Sequence, residues 1–487
     1  MGRSTLDDLT SWRCTDQLYP RLTIGSLPSY VLLEIFHFYV DSQDYDEDAW
    51  HTLVHVCQRW RSLVFDSPCR LRLQLFCTNR RPVKKMLDIW PTLPIVISAS
   101  RTESQWLGMA DVVVALKQHD RVCKITIDDI PNLLLKKVAT MKKPFPTLSY
   151  LHLSSGDEGG PVLPRLFLGG SAPRLSIIDL ERIPFPGISK LLLSTHDLVY
   201  LRLWRIPSSG YISPAALVAS LSALTRLQEL VFGFLSPRSR AVRESRHPPP
   251  LKRIVLPALT WLQFCGDSEY LEDIASRIDA PLLDSININF FNQLLFDTPQ
   301  LRHFINRTEG FRMPRQANVV FDDNYVEVTL HRPNEVENDI MLYLHIPCKP
   351  SDWQLSSLAQ LYNSAFSPLP ALQCLEINDN RQHWQDDIEN AQWLEVLHLF
   401  ASVRDLVLDG ELVRLIAPAL TELTGESVTE VLPALQGLFL EVSQPSEPVK
   451  KVIRKFIFSR QLSGCPIAVH HRDSWDGDYA CWEDAHP

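Results

Sequence analysis

Two histidines four residues apart, His51 and His55, would share one face of a helix, a spacing that can hold zinc. A zinc protease also needs a glutamate directly after the first histidine as general base. Thr52 stands there, and no third ligand follows nearby, so the pair reads as the polar flank of a helix. The glycines of 156–160 and Gly169-Gly170 show neither a phosphate-loop Gly-Lys-Ser/Thr nor a dinucleotide-binding spacing, and read as turns. A Gly-x-Ser-x-Gly elbow is missing too. Arg80-Arg81-Pro82-Val83-Lys84-Lys85 has the charge of a nuclear signal or phosphate contact, but reads first as a solvated helix start. These patterns predict a chain that is not an enzyme and needs neither metal nor cofactor.

Composition narrows the partners. The 487 residues carry 48 Lys and Arg against 57 Asp and Glu, a net charge of −9. A chain of that sign gains nothing from long-range attraction to phosphate, so no nucleic-acid partner is expected. With 45% hydrophobic and 22% charged residues the chain reads as folded and soluble. No apolar run approaches the ~20 residues of a membrane span, and no membrane partner is expected. The opening Met1-Gly2-Arg3-Ser4-Thr5-Leu6 has no apolar signal core and misses the myristoylation pattern at Leu6. The ten cysteines form no Cys-x-x-Cys pair and read as reduced thiols of a cytoplasmic or nuclear protein. The sequon at Asn306 is then a chance match.

The elements that must position any site come from a recurring phrase: apolar, two positions, apolar, one position, apolar. It appears at Val122/Ile125/Ile127, Leu148/Leu151/Leu153, Leu175/Ile178/Leu180, Leu198/Leu201/Leu203, Leu227/Leu230/Phe232, Leu259/Leu262/Phe264 and Leu283/Ile286/Ile288. A weaker copy follows at Leu301/Phe304, then Leu372/Leu375/Ile377, Val403/Leu406/Leu408 and Leu435/Leu438/Leu440. Proline often stands two residues ahead, where it ends a helix before a strand begins. Helix-like segments lie between, at 188–194, 215–224, 268–278 and 411–416. Strand, turn, helix, turn predicts an α/β solenoid with a parallel sheet on one face, resembling leucine-rich repeats. The usual repeat asparagine is present only at Asn380. Elsewhere Ile130, Ile183, Ile206 or Leu235 takes its slot.

Between Leu301 and Leu372 the phrase lapses. The insert 302–371 alternates instead at 318–321, 325–330 and 341–346, which reads as a hairpin or two degenerate repeats. The Pro- and Arg-rich stretch 236–250 reads as an exposed, disordered loop. From Pro448 an amphipathic helix sets Val449, Val452, Ile453, Phe456 and Ile457 against Lys450, Lys451, Arg454 and Lys455, as a terminal cap would. The reading is thus a tail over 1–24, a helical module over 25–68, a solenoid over 69–464 and a tail over 465–487.

The module has its own texture. Leu32, Ile35, Phe36 and Tyr39 stripe its first helix, with Leu33, His37 and Val40 on a second side, then an acidic insert 41–48, then helices carrying Trp50, Leu53, Val54, Cys57, Trp60, Leu63 and Val64. About 40 residues can scarcely bury a core of that width, so apolar groups stay outward for a partner. Leu27-Pro28, Leu32-Leu33, Ile35-Phe36 and Val56-Cys57-Gln58-Arg59-Trp60 resemble the F-box. The whole chain resembles the F-box proteins with degenerate leucine-rich repeats found in mushroom-forming fungi, a likeness also carried by 41–48, 50–57 and Arg460-Gln461-Leu462-Ser463-Gly464. The lengthened link after the first helix departs from a compact F-box.

The resemblance implies a small F-box module followed by an irregular horseshoe. It implies a receptor in a Skp–cullin–F-box ubiquitin ligase, with Leu27, Pro28, Leu32, Leu33, Ile35, Phe36, Leu53, Val56, Cys57 and Trp60 on the Skp adaptor of a cullin–RING assembly. The repeats would hold a protein substrate. By strand alternation the open face should carry Tyr150, His152, Asp179, Tyr200, Arg202, Trp204, Glu229, Trp261 and Gln263, and farther along Glu376, Asn378, Asp405, Asp409 and Glu441. Tyr200, Arg202, Trp204, Glu229, Trp261 and Gln263 are the substrate-binding candidates, being the residue types that dominate interface energy or their neighbours. The alternatives are a non-degradative interaction scaffold and an enzyme hidden in the irregular insert.

Overall fold

The computed structural model describes residues 24–42, 49–77, 82–90, 92–99, 108–156, 160–185, 189–237, 252–293, 295–332, 340–348, 351–366, 369–381, 389–422, 429–441, 446–472 and 479–481. Residues 43–48 of the acidic insert 41–48, nearly all of the Arg- and Pro-rich stretch and most of the final tail lie outside them. Two compact units are present: residues up to 76 with 84–96, and 77–83 with 97–487.

In the first unit, α1 (Ser29–Asp41), α2 (Ala49–Val56) and α3 (Gln58–Asp66) pack together. Pro28 occupies the N-cap of α1, where its missing N–H costs nothing. A single extended residue, Cys57, separates α2 from α3. The Arg61 guanidinium reaches back to the Val54 carbonyl at 2.9 Å and satisfies an acceptor at the end of α2. The Phe36 ring lies 4.6 Å from Trp60, and Trp50 packs against Phe65 and Trp90.

The second unit is built on one register. Its strands are β3 (Val122–Ile127), β4 (Tyr150–Ser154), β5 (Ile177–Glu181), β6 (Tyr200–Ile206), β7 (Glu229–Phe234), β9 (Trp261–Gly266) and β11 (Ser285–Phe290), then β12 (Gln316–Phe321), β13 (Tyr325–His331) and β14 (Ile340–Pro347), then β15 (Cys374–Asp379), β16 (Asp405–Asp409), β17 (Gly437–Glu441), β18 (Ala468–Arg472) and β19 (Tyr479–Cys481). Short earlier strands, β1 (Leu75–Cys77) and β2 (Ile95–Ala99), precede them, and β8 (Ile254–Val255) pairs with β10 (Ile278–Asp279) apart from the main sheet. From β3 to β11 every step is parallel, with one register shift in β6–β7 after Leu203, and Ile125, Leu151, Ile178, Leu201, Leu230, Leu262 and Ile286 form one row. That row runs on through Leu342, Leu330, Ala317, Leu375, Leu406, Leu438 and Val469. No member is more than 5% exposed. At ~25 cal/mol per Å², such rows, more than any polar contact, hold a solenoid together.

The sheet's apolar side meets helices such as α9 (Ser268–Arg277) and α10 (Pro299–Arg307), whose Leu271, Ile274, Leu301 and Phe304 line one apolar cavity with Leu262, Ile286 and Ile288. This mixed α/β unit, with its largely parallel sheet and many helices, is compatible with a leucine-rich-repeat-like solenoid.

Two expectations need correction. Leu301/Phe304 is not a repeat strand but part of α10, because Pro299 opens a helix whose first N–H groups bond to the buried Glu272 carboxylate, 2.8 Å from Gln300 N and 2.7 Å from Leu301 N. The insert is neither a lone hairpin nor a pair of repeats. Strand β12 joins β15 in parallel, β13 folds back on it, and β14 folds back again to join β11 in parallel. The chain therefore enters the sheet three places ahead and walks backwards by hairpins, which need no crossover helix. Helix α11 (Ser351–Ala365) then leads on to β15. The tail 465–487 carries two strands: β18 extends the sheet in parallel with β17, and β19 pairs antiparallel with β18.

The terminal helix α14 (Glu447–Leu462) buries Val449, Ile453 and Phe456. Its fully buried Arg460 donates to the Leu432 and Leu435 carbonyls, tying the helix to the last repeat.

Candidate functional site

Each unit offers a surface. On the first unit, α1 turns Leu32 and Phe36 wholly inward and leaves Ile35 41% and Phe38 77% exposed. Tyr30 is exposed as well, and at the end of α2 Val56 is 55% exposed. Pro28 and Cys57 are also exposed, while Leu27, Leu33 and Trp60 are half-buried. Of the adaptor residues expected from the sequence, Leu32, Phe36 and Leu53 are core side chains of this unit. Tyr30 and Phe38, exposed on the same helix, were not among the residues expected from the sequence. The stripe Leu32-x-x-Ile35-Phe36 fixes an apolar face but not which edge of it turns inward. His51, expected on the polar flank of its helix, is instead buried and stacks 4.8 Å from Trp90, and His55 meets the same ring edge-on.

On the second unit, alternation leaves the odd positions of each strand on the side away from the apolar row, in a half-buried pattern. Register then assembles three rows. The first runs Lys124, Tyr150, Ile177, Tyr200, Glu229, Trp261, Ser285. The second runs Thr126, His152, Asp179, Arg202, Val231, Gln263, Asn287. The third places Ser154 beside Glu181 and Glu181 beside Trp204. All six substrate-binding candidates thus share one face. Val231 breaks the pattern, being buried.

The second row is an ion ladder. His152 bonds Asp128 at 2.8 Å through one ring nitrogen and Asp179 at 2.9 Å through the other. Arg202 continues it, reaching Asp179 and Glu181 at 2.9 Å each. The hydrogen bond to Asp179 chiefly raises the His152 pKa, against the opposing effect of burial. Burial would raise the Asp179 carboxyl, but His152 and Arg202 outweigh it and hold the group below its ordinary value. Arg202 is committed within the ladder. The outer positions, Tyr150, Tyr200, Trp261 and the exposed Glu229, are those open to a ligand.

No family model matches the chain, and no curated protein matches it. Among solved structures, the crystal structure of the leucine-rich repeat-containing protein LegL7 from Legionella pneumophila is similar at 13% identity, covering 79% of this chain and 97% of that one, with a TM-score of 0.28. The repeat character of the second unit rests on its own register, from Ile125 to Val469.

Trp204 illustrates how the face is shaped. Its ring lies over Gly233: a Cβ there would sit 2.8 Å from the Trp204 ring and 2.8 Å from the Cys265 Cβ. Trp204 is therefore partly spent on its own sheet. The insert adds a cluster that the recurring phrase could not signal. Glu327 accepts hydrogen bonds from the Tyr343 hydroxyl and from His345 Nδ1, the latter at 3.1 Å. Burial and Glu327 raise the Tyr343 hydroxyl pKa. The signal was the alternation Tyr325/Glu327/Thr329 and Tyr343/His345 within strands already expected. At the far end, Asn378 donates to Asn318 and Glu376, and Asp409 and Glu441 lie in register, all half-buried.

Proposed function

We propose that the chain is the substrate-recognition subunit of an SCF-type ubiquitin ligase. The helical trio, read as an F-box, docks on a Skp-family adaptor, and the sheet face holds a protein substrate. The observation that carries this reading is the outward placement of Ile35, Phe38 and Val56 on a module whose sequence resembles the F-box. Side chains of that kind left in water favour a protein partner. The chain supplies no catalytic group. Its part in the reaction is to raise the effective concentration of an acceptor lysine near a ubiquitin thioester held elsewhere in the assembly.

The test is binding of the purified chain to a purified Skp-family adaptor by calorimetry. Ile35→Asp with Val56→Asp should weaken binding roughly 1,000-fold, since central apolar anchors contribute ~2 kcal/mol or more each. Both residues are exposed, so the variant should keep the parent melting temperature. Absence of adaptor binding by the parent chain rejects the proposal. Adaptor binding without ubiquitin transfer to a captured protein in a reconstituted ligase points to the non-degradative scaffold instead.

A further inference from the structure

One surface of the second unit opposes the net charge of the chain. Between Pro131 and Leu166 the sequence has five cations, Lys136, Lys137, Lys142, Lys143 and Arg165, against two carboxylates, Asp157 and Glu158, both outside the described residues, and Lys190 adds a sixth cation. The cations sit on the helix side of three successive layers. In the first, α6 (Asn132–Ala139) buries Leu134, Leu135 and Val138 and turns Leu133, Lys136 and Lys137 outward; the turn after it exposes Lys142 and Lys143. In the second, Arg165 is exposed between Val162 and Leu166. In the third, α7 (Ser189–Leu192) and the residue after it expose Lys190 and Leu193.

These layers touch. A Cβ on Gly160 would lie 3.5 Å from Asn132, one on Gly169 2.6 Å from the Pro144 backbone, and one on Gly170 3.8 Å from Lys190. Among the described residues no ion pair involves any of these lysines or Arg165. The aliphatic residues interspersed with them are 45–61% exposed.

The composition of the face selects its partner. Protein interfaces are enriched in aromatic residues and depleted in lysine, and sites for single-stranded nucleic acid need aromatic stacking platforms. This face has lysines and aliphatics, and no exposed large aromatic among its described residues. Lysines spread around aliphatic side chains match an anionic bilayer, where headgroups take the charge and the acyl boundary takes the Leu and Val. We infer that this face docks the chain peripherally on an anionic phospholipid bilayer. The expectation of no membrane partner came from the lack of a spanning segment, which peripheral docking does not need. Among the described residues no helix is long and apolar enough to cross a membrane.

The experiment is flotation of the full chain with vesicles of phosphatidylcholine alone, and with phosphatidylserine added as a minority lipid. The chain should float only with phosphatidylserine present, and less as salt rises. Lys136→Gln, Lys137→Gln and Arg165→Gln together should weaken binding about 100-fold, at about fivefold per charge near an anionic surface. Leu133→Ser with Leu166→Ser should weaken it at least about tenfold while leaving the salt dependence in place. All five sites are exposed, so melting temperatures should hold and a loss reports binding rather than unfolding. Failure of the parent chain to float, equal flotation on phosphatidylcholine alone, or unchanged binding by the charge variant each overturns the inference. So does binding of a mixed-sequence oligonucleotide, lost in the charge variant, with vesicles left unbound; the face would then belong to nucleic acid. No adaptor is present, so the outcome is independent of the ligase proposal.

Discussion

The helical trio and the repeat sheet use similar side chains in opposite ways. In the sheet, one apolar row from β3 through β18 is taken wholly inward, and the alternate positions that face outward are mostly polar or aromatic. In the trio, α1 has apolar residues on more than one side and can bury only some, so Ile35 and Phe38 stay in water beside buried Leu32 and Phe36. A strand has two faces, and alternation assigns every residue to one of them. A helix has a continuum of faces, and its neighbours choose. The difference separates a region whose apolar residues are packed away from one that leaves several of them in water.

The sharpest way to break this comparison is to shorten matched residues. Leu201→Ala in the row and Leu32→Ala in α1 should each cost about 2–5 kcal/mol, from lost burial and the cavity left behind. Phe38→Ala, on the same helix as Leu32, should change stability by no more than about 0.5 kcal/mol. Urea unfolding followed by circular dichroism gives all three values. A cost for Phe38→Ala close to that for Leu32→Ala would mean that the outward row is structural, and the adaptor proposal would lose its support.

The same contrast explains what was legible in the sequence. Ten of the eleven apolar phrases mark strands of the sheet, because Leu-x-x-Leu-x-Leu with a leading proline carries period, start and facing together. Leu301/Phe304 failed because proline opens a helix as readily as it precedes a strand. What decided the outcome was Glu272, 28 residues upstream of Gln300 and unreadable as a cap without the fold. The three strands of the insert were legible as strands but not in their order, since alternation fixes facing and says nothing of neighbours. The face residues Tyr200, Arg202, Trp204, Trp261 and Gln263 followed from alternation alone. The ladder from Asp128 to Glu181 did not, because it needs adjacent layers to be in register. The burial of Leu32 and Phe36 beside exposed Ile35 was not legible for the reason that opens this comparison: a stripe on a helix does not say how much of itself is covered.

A middling effect is expected where the sheet face is packed by its own side chain. Gly233→Ala puts a methyl against the Trp204 ring and the Cys265 Cβ, and overpacking of this kind typically costs about 1–3 kcal/mol. In a Trp204→Ala background the cost should fall, because the ring is then gone and only Cys265 resists. Equal costs in both backgrounds would show that Trp204 is not held down by its neighbour strand, and its ring would then be free for a ligand.

The smallest effect, and the one that tests the polar face most directly, is the pH dependence of the ion ladder. The His152 pKa is raised in the folded chain by Asp179, with Asp128 adding to it. The stabilisation it provides is therefore complete below its ordinary unfolded value of about 6.5 and is lost as pH rises through the higher folded value. His152→Asn should cost about 1 kcal/mol at pH 5.5 and progressively less in alkaline solution, as the parent loses the charged partner too. Asp179, whose pKa is lowered, acts at the other limit. Its contribution is present above the ordinary carboxylate value and disappears as pH falls through the lower folded one. Asp179→Asn should thus cost more near neutrality than in strong acid. Melting curves across pH for both variants separate the two groups. A His152 variant equally destabilised at every pH would mean that the side chain acts by packing, and the ladder would not be electrostatic in origin.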